Sequence, residues 1–210
     1  EDKDRKRRER EQKGSVHELV QWMKTMRAQD ENLFPAAALE WFQEHNLDAE
    51  AVHSLTVEEI KSWGTQRTEG EGGALEFKVG PLLKLLRHAR EIVEQNPDPD
   101  RDEKLLSIFE ISDEVDQMSH LLCNLNLEGT VLVWRKEQID LPIISEMVDQ
   151  PDWIAQGPQT LKYLEIPRLG DRAKIRTTCR ALKSENDRLQ KLAGAANRKR
   201  PPPPKQPPKR

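Results

Sequence analysis

The sequence is short of the residues from which most enzymes and metal centres are built. Only two of its 210 residues are cysteine, Cys123 and Cys179, far apart and in no metal-binding spacing. That usage fits a reduced intracellular protein and not a disulfide scaffold. None of the five histidines (His17, His45, His53, His88 and His120) stands four residues from another, so the usual paired-histidine metal patterns are missing. The glycine-rich stretch Gly70-Glu71-Gly72-Gly73 carries an acid that would repel phosphate, and no G-x-S-x-G elbow occurs. Aromatic residues make up 5% of the chain, and no apolar run approaches the length of a membrane span. No secretory signal is visible. From these gaps we expect no catalytic residue, no cofactor and no metal, in a cytoplasmic or nuclear protein without a membrane span.

Charge fills the sequence instead. Charged residues contribute 34% and hydrophobic residues 35%. That is too little apolar side chain for one large core, and enough for two modest cores with wet flanks. The net charge of −3 is uneven: residues 1–13 sum to +2, residues 194–210 to +6, and the body between them to −11. An acidic body disfavours nucleic acid as its partner, although the basic tail alone could touch phosphates. Apolar residues recur at helical spacing and sustained alternation is missing, which predicts an all-α fold.

Order is expected to begin at Ser15, which stands at capping-box spacing from Glu18. Val16, Leu19, Val20, Met23 and Met26 then mark one helical face, and a second helix is expected over 36–45 after Pro35. Thr56 and Glu59 form another capping box, with Gly64 as the stop. Gly80-Pro81 opens a longer helix whose buried side includes Leu82, Leu85 and Ala89. Asn96-Pro97-Asp98-Pro99-Asp100 cannot continue a helix and reads as a linker. Val115, Met118, Leu121, Leu122 and Leu125 then resume helical spacing. The expected division is a charged arm (1–14), a first unit (15–95), a linker (96–102), a second unit (103–185), a helical extension (186–194) and a disordered basic proline-rich tail (195–210).

In the second unit, Leu161-Lys162-Tyr163-Leu164-Glu165-Ile166 is followed by Gly170-Asp171-Arg172-Ala173-Lys174-Ile175. This resembles the closing segment of a sterile alpha motif (SAM) domain, L-K-x-L-x-I then G-x-R-x-K-I and a long last helix. Glu137-Gln138-Ile139-Asp140-Leu141 resembles the family's middle segment. The first unit is similar: Trp22 stands where the family often has a Trp, Leu55 to Gly64 resembles L-T-x-E-D-L-K-x-L-G, and Gly80 to Leu86 resembles the start of the last helix. Three departures stand out. The stretch from Gly64 to Gly80 is long, Leu82 replaces a usual basic residue, and a loop at 149–159 lengthens the second unit.

The resemblance implies two small SAM-like five-helix bundles in tandem, acting as a non-enzymatic signalling scaffold or adaptor. Such units associate with themselves or with another SAM-domain protein, an acidic mid-loop surface on one copy meeting a basic end-helix surface on another. The matching basic positions are Arg168, Arg172, Lys174 and Arg176; the matching acidic positions are Glu44, Asp48, Glu50, Glu58 and Glu59. Cations crowded at a helix start oppose the macrodipole, and a partner's carboxylates would relieve them. The expected acceptor is the first unit of a neighbouring chain or a different protein; the same residues also read as ordinary solvated faces.

Ile175, Leu182 and Leu189 fall seven apart, as do Cys179, Asn186 and Ala193. The pattern reads as a short coiled coil or as a solvated helix end. The small residues from Gly194 are expected to stop the helix. In the tail, Arg198-x-x-Pro201-x-x-Pro204 and Pro204-x-x-Pro207-x-Lys209 have the spacing of SH3-domain ligands, and the same cations would suit nuclear import or an anionic surface. Two alternatives to the scaffold stay open from sequence. One is an RNA-binding SAM-type protein. The other is a regulatory segment positioning a catalytic domain outside these residues, since the chain opens at Glu1 and not at Met.

Overall fold

The computed structural model describes residues 15–66, 74–98, 100–150, 152–155, 164, 166 and 168–198, with side chains of the last helix through residue 192. Among these residues there are helices and no strand, so the chain is all-α.

Local chemistry starts most of the helices. At the head of α1 (Val16–Gln29), Ser15 Oγ accepts the Glu18 N–H at 3.3 Å. Helix α2 (Ala36–Glu44) follows Pro35. Asp48 caps α3 (Ala49–Ser54) by accepting the Ala51 N–H at 2.9 Å. The capping box at α4 (Val57–Thr65) forms in both directions: Thr56 Oγ1 accepts the Glu59 N–H at 3.2 Å, and Glu59 Oε2 accepts the Thr56 N–H at 2.8 Å. Such caps satisfy amides that a helix start otherwise leaves bare. Helix α5 (Val79–Gln95) carries Pro81 in its first turn, where no N–H is needed.

Beyond the linker come α6 (Arg101–Phe109), α7 (Glu114–Asn124), a 3₁₀ turn at Glu128–Thr130, α8 (Val131–Lys136), α9 (Leu141–Met147), α10 (Asp152–Ala155) and α11 (Leu169–Arg198). Asp113 and Asp140 cap α7 and α9.

Three boundaries differ from the sequence reading. Gly64 does not stop α4, which runs on to Thr65. Its lack of a side chain makes room instead, because a Cβ there would lie 2.8 Å from the Phe77 ring. Gly194 does not stop α11 either; the flanking alanines favour helix, and one glycine costs only about 1 kcal/mol. The 149–159 loop contains the short helix α10.

The two expected cores are joined. Buried side chains from Leu19 to Leu182 form one continuous cluster. Helix α11 is the reason: it packs on α9 and α10 of its own unit and also on α3 of the first unit. Its Leu169, Ala173, Ile175, Cys179 and Leu182 are all buried. The first part of the expected heptad seam is therefore spent inside the bundle, leaving Asn186 and Leu189 exposed beyond it.

Candidate interaction surfaces

The start of α11 is seated on the turn between α2 and α3. The Gly170 N–H donates to the His45 carbonyl at 2.9 Å, and Asn46 Nδ2 donates to Asp171 Oδ1 at 2.8 Å. A Cβ on Gly170 would collide with the carbonyl oxygens of Asn46 and His45, so glycine is what allows the approach. Asn46 itself has a φ of 52°, a left-handed conformation that asparagine tolerates better than most residues. The His45 ring lies 4.8 Å from Trp41 and 5.3 Å from Trp63, which fixes the turn from behind.

Two ion pairs frame this seat. Lys174 Nζ lies 2.5 Å from Asp48 Oδ2, while the other carboxylate oxygen of Asp48 caps α3. Arg176 Nη1 lies 2.6 Å from Glu59 Oε1, and Arg176 Nη2 donates to the Ser54 carbonyl at 2.8 Å. The four side chains are 9–22% exposed, so solvent screens them less than the surface pair Arg135–Asp116, at 48% and 56%. Burial pushes the Glu59 carboxyl up, but the Arg176 hydrogen bond, the Thr56 N–H and the Arg176 charge together outweigh it and hold the group below its ordinary 4.5.

An aromatic inlay lies beside the ion pairs, where α10 packs on α4. The Trp63 indole N–H donates to the Ile154 carbonyl, and the Trp153 N–H donates to the Arg172 carbonyl at 2.9 Å. Arg172 sits 5.2 Å over the Trp63 ring and donates from Nε to the Ile166 carbonyl at 2.8 Å. Burial pushes its guanidinium down to about 10, so it keeps its charge at neutral pH. A buried tryptophan with its N–H satisfied contributes large apolar area without a polar penalty.

The sequence-expected site residues thus divide. Lys174, Arg176, Asp48 and Glu59 meet one another inside one chain. Arg172, expected on the docking face, is fully buried in the inlay and cannot touch a partner. Arg168, Glu44, Glu50 and Glu58 are exposed. Pro201, Pro204, Pro207 and Lys209 lie outside the described residues, as does the 1–14 arm; Arg198 is described only as helical backbone. Sequence reasoning missed His45, Asn46 and Trp63 as contact residues, and read Gly170 as part of the end-helix motif without its role in admitting the turn. The usable signal was an Asn before Leu-Asp at a helix end, facing a glycine at a helix start.

Other chemistry is sparse. Among the described residues no three His, Cys, Asp or Glu side chains gather to hold a metal, and no helix is long and apolar enough to cross a membrane. A cavity of about 200 Å³ lies between the units, with Glu50, Asp98, Arg101, Lys104 and Lys174 on its walls. Burial pushes the Cys179 thiol up to about 12, which makes it inert at neutral pH. Comparison of the chain with protein-family models, curated proteins and solved structures finds no match.

Proposed function

We propose that the chain is a non-enzymatic scaffold or adaptor that associates with other protein units through mid-loop and end-helix surfaces of the SAM kind. One observation carries the reading. The helix start at Leu169–Arg176 and the turn at His45–Asp48 fit each other in backbone hydrogen bonding, in shape at Gly170 and in charge at Lys174 and Arg176. A chain that carries such mated surfaces is built for contacts between units. The RNA-binding alternative loses support, because Arg172, Lys174 and Arg176 are committed inside the chain and the body is acidic.

Sizing the whole chain by light scattering across concentration and salt tests the reading. Mass that rises with concentration and falls with added salt is expected. A monomer under every condition would overturn self-assembly as the function.

A further inference from the structure

The cavity of about 200 Å³ between the units has walls from both of them. Drug-sized pockets run to about 300–1,000 Å³, so this one suits a smaller molecule. Glu50 comes from α3 of the first unit, Arg101 and Lys104 from α6 of the second, and Lys174 from α11. Glu50, Arg101 and Lys104 are exposed and mark the open side. Ile108 is buried and Leu105 and Leu125 are half-buried, so the inner wall is apolar.

The charges on these walls are not equivalent. Lys104 Nζ lies 2.9 Å from Asp98 Oδ2, and Lys174 Nζ lies 2.5 Å from Asp48 Oδ2. Both lysines are therefore neutralised within the chain. The Arg101 guanidinium acts on Asp98 through its charge alone, and the Glu50 carboxylate has no hydrogen bond or ion pair among the described residues. One cation and one anion, from different units, thus face the cavity unpaired. The backbone supplies both signs again. Helix α6 begins at Arg101 with no side-chain cap, which brings its positive end to the cavity. Helix α7 ends at Asn124, which lines the cavity together with Leu125 and Asn126, and brings a negative end.

We infer that this cavity binds a free α-amino acid with an apolar side chain. A ligand of one sign meets like charge on the wall: Glu50 and Asp98 repel an anion such as phosphate, and Arg101 repels a cation. A zwitterion satisfies both. Its carboxylate meets Arg101, whose planar guanidinium matches a carboxylate with two parallel hydrogen bonds. Its ammonium meets Glu50, and its side chain lies on Leu105, Ile108 and Leu125. Glu50 and Arg101 belong to different units, so the bound molecule ties the units together and their contact responds to ligand concentration. Scaffolding neither requires nor excludes such a ligand.

The test is isothermal titration calorimetry on the full chain, with L-leucine, L-methionine and L-phenylalanine as probes. At least one of the three should bind at a single site per chain and raise the thermal midpoint saturably. Its N-acetyl derivative lacks the ammonium and its decarboxylated amine lacks the carboxylate; each should bind roughly tenfold more weakly or worse. Glycine, without the side chain, should bind more weakly too. Arg101→Gln and Glu50→Gln change exposed side chains, so each variant should keep the wild-type midpoint without ligand. Each should lose affinity by about tenfold or more. Binding by none of the three probes, binding of inorganic phosphate as tight as that of the amino acid, or full affinity in either variant overturns the site, whatever light scattering shows of assembly.

Discussion

Gly170 and Gly80 occupy the same place in two similar helices and have opposite surroundings. One has two backbone carbonyls pressed against it; the other faces open space. The residues around them differ in the same sense, Leu169 being buried and Val79 half exposed. The contrast teaches that local sequence builds both surfaces, while only one of them is used inside the chain. Substitutions that treat the two places alike should therefore have unlike effects.

The largest effect is expected at Arg172. Reversing it to Glu would bury a carboxylate against the Ile166 and Trp153 carbonyls, at a cost of more than about 4 kcal/mol by denaturant unfolding. Reversal there measures folding and not partner binding, and wild-type stability for this variant would sink the buried placement. Next comes Gly170→Ala, which forces the α2–α3 turn away from α11 and should cost about 3 kcal/mol. The same change at Gly80 should shift stability by no more than about 1 kcal/mol, toward the more stable side. Equal costs at the two glycines would dissolve the comparison.

Acid should loosen the occupied contact. Glu59 has a folded value held below its ordinary 4.5, so its contribution is fully present above that pH and is lost as pH falls through the lowered value. Thermal midpoints measured downward from pH 5 should fall, and Glu59→Gln should flatten that dependence; an unchanged slope would show that the Glu59–Arg176 pair does not stabilise the contact. The smallest effects separate sheltered from exposed pairs. Lys174→Met should cost about 1 kcal/mol, and Arg180→Ala, which breaks a surface pair with Asp149, less than about 0.5 kcal/mol.

Much of the fold was legible because its signals are local. The Thr56–Glu59 capping box and the helical recurrence of Leu19 and Met23, and of Leu82, Leu85 and Ala89, each act within a few residues; the Asp48 and Asp140 caps are as local, although the two residues were read from sequence only as an acidic surface position and part of a motif. The charge complementarity of the two units was legible too, since Lys174, Arg176, Asp48 and Glu59 could be read from position in the repeated pattern. Whether that complementarity acts between chains or within one was not. It depends on Trp63, Trp153 and Ile154 meeting across a long sequence separation, and no short window encodes that. Arg172 misled for a related reason: an arginine in a basic cluster reads as surface, and only the carbonyls and the indole ring around it make its burial tolerable.

The short connection between α5, which ends at Gln95, and α6, which begins at Arg101, has a kinetic and thermodynamic meaning of its own. A tether of that length holds one unit near the other at an effective concentration on the order of millimolar. An intrinsic dissociation constant of about 10 µM for the internal contact would then leave it closed ~99% of the time. A competing copy in solution would need to approach millimolar concentration itself before it displaced the tethered one. With the internal contact closed, the two units share one core and count as one monomer in any assembly.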